Sequence, residues 1–413
     1  MAEVDDGLQG LRKAAKRAAF GIVPNRAHQG ARGFMQAANY KLGIVEFDDQ
    51  GRCYHRSQLD RLSDVIEGMR ENSEDAIFIV FVHGWKHDAR SDDENLTAFR
   101  KLLDKTAVHE RGNAAGARPR DVYGIFVGWR GMSLFGFGLL EDVTFWDRQE
   151  AGHRVATGSV RELFGRLRHY RNSRLKRGGS PLLMISGHSF GGMIVFSALA
   201  QSLIEAASAP AGRVIPGFAD LVLLINPAIE GARYLPIYDL VRSAPFQTRE
   251  IEQLPVFICV QARNDSAVGA WFPIGNILAG MKQKSVGPLE KRCVNHGLGF
   301  IDRFHTHRLE GPTAKEPFVL APPESARTNP YWIVSASKDV VNKHGGIWLE
   351  PFMRFVLSML FQHVRQSMAE PAAVPPAAAP EMPLAAAVAR KAATPPPSVT
   401  ANLADFAKTI SWD

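Results

Sequence analysis

The sequence predicts an α/β domain, with a mostly parallel central sheet covered by helices on both faces. Three observations carry this reading. The strongly apolar segments are short and rich in β-branched and aromatic residues, as expected of strands buried on both sides. They alternate with longer segments whose apolar residues recur at helical spacing. Nothing repeats at a fixed period, which excludes a solenoid or a propeller.

The elements follow in order. Lys41–Phe47 is a strand that stops at the turn residues Asp48, Asp49, Gln50 and Gly51. Ser57–Glu71 is a helix, with Leu59, Leu62, Val65, Ile66 and Met69 on one side. Ala76–Val82 is a strand, too short and too β-branched for a helix. Leu96–Val108 is a helix behind the capping run Ser91, Asp92, Asp93 and Glu94. Val122–Val127 is a strand, and Asp147–Arg174 reads as one long basic helical segment. Pro181–Ile185 is a strand and Gly192–Ala207 a helix. Leu221–Ile225, Val256–Val260 and Tyr331–Val334 are three further strands, and Gly346–Met368 is the last helix.

This divides the 413 residues into a basic N-terminal extension (1–35), one domain (36–368), a linker (369–399) and a C-terminal peptide (400–413). Residues 371–400 hold 8 Pro and 11 Ala and no Gly, a composition that stays extended because it has no core to bury. Beyond it, Leu403, Phe406, Ala407 and Ile410 share one helical face, with Asn402 and Asp405 as candidate caps. The readings are a peptide that docks on a protein partner and a frayed terminus.

About 46% of residues are hydrophobic and 22% charged, ordinary for a globular chain with a sizeable core. The net charge of +7 and pI near 9.3 are mildly basic, and no nucleic-acid-binding module accompanies them, so no nucleic-acid partner is expected. The arginine-rich stretch Arg161–Arg177 reads as a solvated helix face, with contact to an anionic membrane surface as the alternative. Cys53, Cys259 and Cys293 are odd in number and lack metal-ligand spacing, which favours a reducing compartment; Cys259 reads as a small core residue. The N-terminus carries no apolar stretch like a signal peptide, and no run suggests a transmembrane segment. The cytoplasm is the expected location, with export by a route that needs no signal peptide left open.

The chemistry concentrates in Gly187-His188-Ser189-Phe190-Gly191, a G-x-S-x-G pattern between a strand and a helix, with Gly192 following. Such a turn is so tight that only glycine fits two residues either side of the serine. It lifts the serine oxygen above the sheet at a helix N-terminus, where the helix dipole favours a developing anion. With its strand and helix, GHSFGG resembles the nucleophile elbow of lipases and esterases in the α/β-hydrolase superfamily. The resemblance covers roughly residues 40–368 and implies the α/β-hydrolase fold, with lid-like insertions, and a serine nucleophile at Ser189. Phe190 stands where Leu or Met is commoner, which leaves its backbone N–H in place.

The same resemblance implies two oxyanion donors. One is the N–H of Phe190. The other comes from the loop after an earlier strand, where His83-Gly84-Trp85 looks like the superfamily's oxyanion loop and nominates the N–H of Trp85. Gly84, Gly187 and Gly191 are thus the motif glycines. In this superfamily the acid and then the base follow the serine. Asp265, in the loop just past the strand Val256–Val260, is the preferred acid, and Glu230, after the preceding strand, is the alternative. His344, followed by Gly345 between the last strand and last helix, is the preferred base; His296-Gly297 is its rival. His188, inside the elbow, is expected to point away from the nucleophile. His83 with His87, and His305 with His307, are weak metal patterns, the latter pair reading as solvated loop; no metal or cofactor is called for.

Two segments are candidate substrate elements: the apolar, Gly-rich run from Gly131 into Phe145-Trp146, and the insertion at about 266–329. Apolar residues there suit an acyl or lipid substrate, or simply cover the sheet. The expected activity is hydrolysis of a small-molecule or lipid carboxylic ester through an acyl-enzyme on Ser189. The alternatives are a non-catalytic scaffold on the same fold and a lipid-attacking, phospholipase-like toxin.

Overall fold

A computed structural model of the chain describes residues 35–369 and 403–412, apart from 85–88, 90–91, 115–117, 130–140, 210–212, 250, 268–286 and 322–327. The elements run β1 (Met35–Gln36), β2 (Lys41–Phe47), α1 (Arg56–Glu71), β3 (Ala76–Val82), α2 (Glu94–Asn113), β4 (Asp121–Trp129), α3 (Glu141–Thr157) and α4 (Val160–Lys176). They continue with β5 (Leu182–His188), α5 (Phe190–Ala207), β6 (Leu221–Ile225), α6 (Leu235–Val241), α7 (Ala244–Gln247), β7 (Phe257–Ala262) and α8 (Pro288–Asn295). The last are β8 (His307–Glu310), β9 (Val319–Ala321), β10 (Tyr331–Ala336), α9 (Glu350–Ala369) and α10 (Leu403–Lys408).

The strands form one ten-stranded sheet in the order β1-β2-β4-β3-β5-β6-β7-β10-β8-β9. Among the strands of the described residues, only β1 on β2 and β9 on β8 pair antiparallel. All other neighbours are parallel, so successive strands connect by crossovers and their carboxyl ends share one edge. The fold is therefore the mostly parallel α/β class that the sequence predicts.

Alternate strand residues feed two cores. Phe78, Val80, Ile185, Leu224 and Cys259 pack under α1, α4 and α5. Ile77, Ile79, Met184, Leu223 and Ile258 pack under α2 and α9. The sheet is thus buried on both faces, which explains why its strands read as continuous apolar runs. The helix α5 is apolar enough by length and composition to cross a membrane, with mean hydropathy 1.4, yet 61% of it is buried inside this fold.

Three expectations change. The segment Asp147–Arg174 is two helices. Ser159 N–H donates to Gly51 O at 2.7 Å, and a Cβ on Gly158 would lie 2.2 Å from that same oxygen, so the chain breaks where it meets the β2 turn. The insertion after Asp265 is partly sheet: β8 extends the parallel sheet beyond β10, and β9 closes its edge. Within it His307 is not in a solvated loop; it is buried against Trp332, 3.9 Å between ring centres.

The C-terminal peptide lies on this chain's own second core. Leu403, Phe406, Ala407 and Ile410 are buried there beside α9. Arg354 of α9 donates to the carbonyls of Ala407 and Ile410, and its guanidinium and Lys101 of α2 both approach the Trp412 ring.

Candidate active site

The chain leaves β3 toward one side of the sheet and β5 toward the other, since β4 lies outside β3 and β6 beyond β5. The strand order reverses between β3 and β5. In open parallel sheets that reversal opens a crevice at the carboxyl ends, the usual place for a ligand. Gly84 follows β3 and Ser189 follows β5, so both motif segments meet there.

Ser189 is the turn residue between β5 and α5. Its backbone sits at φ +56°, ψ −122°, a strained conformation for a non-glycine residue. Main-chain bonds hold it: its N–H donates to Ile225 O at 3.0 Å, and its carbonyl accepts from Met193 and Ala228 N–H. The glycines around it are fixed by close approach. A Cβ on Gly187 would lie 2.4 Å from Gly191 O, and one on Gly191 would lie 2.0 Å from Val82 O. A Cβ on Gly84 would come within 2.9 Å of the Ser189 Cβ, so the loop after β3 packs directly on the serine.

Three of the sequence-derived residues come together. His344 Nε2 lies 2.8 Å from Ser189 Oγ, and His344 Nδ1 lies 2.9 Å from Asp265 Oδ2. The Asp265 side chain is fully buried and that of His344 is 29% exposed, so the imidazole is the member of the set that solvent reaches. Asp265 is also bonded by the Gln261 amide at 3.0 Å and by Ala267 N–H at 3.1 Å. A carboxylate at Nδ1 selects the tautomer with its proton there. This leaves Nε2 as an acceptor for the serine hydroxyl. The arrangement can draw the Oγ proton onto His344 and steady the resulting imidazolium.

Glu230 is elsewhere. Its oxygens accept from Gln149 at 3.0 Å and Arg233 at 3.1 Å, and its backbone bridges to Gly297. The rival base His296 has its Nδ1 2.9 Å from Arg292 O. The N–H of Phe190 belongs to the first turn of α5, the end where backbone donors point out along the helix axis. Trp85, the other oxyanion nominee, lies outside the described residues, as do His87 and the run 131–140.

His83 is wholly buried and structural in its bonding. Its Nδ1 faces Gly84 O at 2.7 Å, its Nε2 accepts from Trp129 N–H, and its carbonyl accepts from the Trp129 indole. Both ring nitrogens are thus occupied in tying the end of β3 to the end of β4. Among the described residues no group of three His, Cys, Asp or Glu side chains has the geometry to hold a metal ion.

Sequence reasoning missed the residues that hold the His344 loop. His188 turns toward that loop, with Nε2 2.8 Å from the His344 carbonyl. The Asn226 amide reaches the Lys343 and His344 carbonyls at 3.0 and 2.9 Å. The only signal in the sequence was position, since Asn226 directly follows β6 as Ser189 follows β5.

No protein-family model matches the chain, and no curated protein matches it at a significant level. Two solved structures share a loose likeness. One comes from a structural and mechanistic study of two prolyl endopeptidases, at TM-score 0.26 and 11% identity, covering 72% of this chain and 34% of that one. The other is the phospholipase PlaB from Legionella pneumophila in complex with thio-NAD, at TM-score 0.29 and 8% identity, covering 71% of this chain and 62% of that one. The chain thus spans about a third of the first structure's length and under two thirds of the second's.

Proposed function

We propose that this chain is a serine hydrolase of the α/β-hydrolase type, acting on carboxylic esters. The observation that carries the reading is the relay from Ser189 Oγ through His344 to buried Asp265, with steps of 2.8 and 2.9 Å. A serine hydroxyl is a poor nucleophile until a neighbouring base accepts its proton. A base does so best when an acid fixes its orientation and stabilises its charge.

The steps follow. His344 Nε2 takes the proton from Ser189 Oγ as the oxygen attacks the acyl carbon. The carbonyl oxygen becomes an oxyanion, held by the N–H of Phe190 and that of Trp85. The tetrahedral species collapses, and the proton on His344 leaves with the alcohol. Water then gives a proton to His344 and attacks the acyl-enzyme. The carboxylic acid departs, and the proton returns to Ser189. The elbow supports this because its strained backbone and close glycines hold Oγ clear of β5 at the head of α5.

A fluorophosphonate probe tests the reading. The folded protein is expected to label stoichiometrically at Ser189, and Ser189→Ala to remain unlabelled with an unchanged thermal midpoint. A folded wild type that resists the probe and leaves p-nitrophenyl esters of graded chain length intact overturns the hydrolase reading in favour of a scaffold.

A further inference from the structure

The His344 loop joins β10 to α9 and carries Lys343 in the left-handed region, at φ +56°. Within the loop, Asn342 and Gly346 exchange backbone bonds across a tight turn. The carbonyls of Lys343 and His344 are received by side chains from the ends of other strands. Asn226, wholly buried at the end of β6, donates Nδ2–H to both, at 3.0 and 2.9 Å. His188, buried at the end of β5, reaches the His344 carbonyl with Nε2 at 2.8 Å.

The orientation of the Asn226 amide is fixed from its other side. Its Oδ1 accepts from Ala262 N–H at 2.8 Å and from Gln261 Nε2 at 3.3 Å. A flipped amide would set its oxygen against two carbonyl oxygens. Gln261 also donates to Asp265 at 3.0 Å. One buried amide therefore ties together the strand that carries the acid and the loop that carries the base. Asn226 itself sits at φ +44°, a conformation that asparagine tolerates better than most residues.

We infer that Asn226 and His188 are positioning residues for the base: two N–H donors that clamp the His344 main chain so that its imidazole meets Ser189 and Asp265 together. The inference rests on the hydrolase reading for its chemistry, though the clamp is a structural statement in its own right. A base attached to its partners through one ring alone can swing about its side-chain bonds. A carbonyl held by two donors fixes where that ring starts. Reaction rates are sensitive to such placement, and a displacement near 1 Å can slow a reaction roughly a hundredfold.

The test uses the full chain with two kinds of variant. Asn226→Asp keeps the shape and removes the donor. His188→Gln keeps an N–H at nearly the same reach, whereas His188→Met removes it. We expect Asn226→Asp to lower kcat, and the rate of fluorophosphonate labelling, by roughly ten- to a hundredfold with KM changed by less than about twofold. His188→Met is expected to lose roughly tenfold and His188→Gln to recover most of it. The second readout is the downfield proton resonance of the His344 Nδ1–H···Asp265 bond, expected sharp in wild type and in His188→Gln, and broadened or lost in Asn226→Asp and His188→Met. A wild type that shows this resonance yet never labels defeats the hydrolase reading, while the resonances of the variants still decide the clamp. Wild-type resonance and kcat in both folded Asn226→Asp and His188→Met overturn the clamp. Should Asn226→Asp not fold, equal behaviour of His188→Met and wild type overturns it.

Discussion

His344 receives a carboxylate at one ring nitrogen and a hydroxyl at the other, so each partner can be removed with a distinct consequence. Replacing Asp265 by Asn offers the ring an amide that can no longer select the Nδ1–H tautomer. We expect kcat to fall by roughly a thousand- to ten-thousandfold while the fold persists. Glu230→Gln keeps the bulk of a side chain directed at Gln149 and Arg233, and is expected to stay within about twofold of wild type. Ester turnover of the two variants, measured side by side, checks this, and a larger loss for Glu230→Gln would remove Asp265 from its role. The meeting of Ser189, Asp265 and His344 was legible because each follows a strand, and the carboxyl ends of parallel strands share one edge. Asn226 and His188 were not, because their meaning lies in contacts with His344 across 118 and 156 positions. No local pattern encodes such a separation.

At the scale of elements, the apolar runs gave the inner strands to within a few residues because burial on both faces leaves a strong, unmixed signal. The strands β8 and β9 at the far side of the sheet escaped notice: β8 has four residues, two of them the polar Arg308 and Glu310, and β9 has only three. The break between α3 and α4 was hidden because its cause is the distant Gly51 carbonyl. The segment α10 shows the same dependence in reverse. Six residues cannot hold a helix alone, so its helicity comes from burying Leu403, Phe406 and Ala407 beside α9. Phe406 also stacks edge-on to His109 of α2, 5.4 Å between ring centres, so the peptide fastens α2 to α9. Phe406→Ala is expected to free the segment, seen as faster amide exchange over 403–410 with α9 and β5 still protected. Unchanged exchange over α10 would mean that this packing is not what holds it.

Across the whole molecule, the candidate site and the electrostatic stitching occupy opposite edges of the sheet. The side chains of Ser189, Asp265 and His344 lie at the carboxyl ends, while largely buried ion pairs line the amino ends: Arg120 with Glu110 at 2.7 Å, Arg174 with Asp75 at 2.9 Å, and Arg171 with Asp220. These pairs account for two arginines of the basic stretch that the sequence presents as a solvated face. Glu110→Gln leaves Arg120 without its counter-charge and is expected to cost about 1–3 kcal/mol in a denaturant titration, with kcat unchanged at low temperature. A matching fall in kcat would mean the two edges are coupled. Acid should unfold the chain partly through the added strand β8. Burial pushes the His307 imidazole down to about 3 from its ordinary value of 6.5. Above pH 6.5 both the folded and unfolded states leave it neutral, so stability there is indifferent to it. Below, only the unfolded chain takes the proton, and stability drains at about 1.4 kcal/mol per pH unit until the folded group also titrates near 3. At pH 5 the loss is about 2 kcal/mol. Replacing His307 by Phe keeps a ring against Trp332 and removes the titration, so denaturant midpoints between pH 6.5 and 4 should fall less steeply than in wild type. Parallel curves for the two proteins would show that His307 protonates as freely when folded as when unfolded.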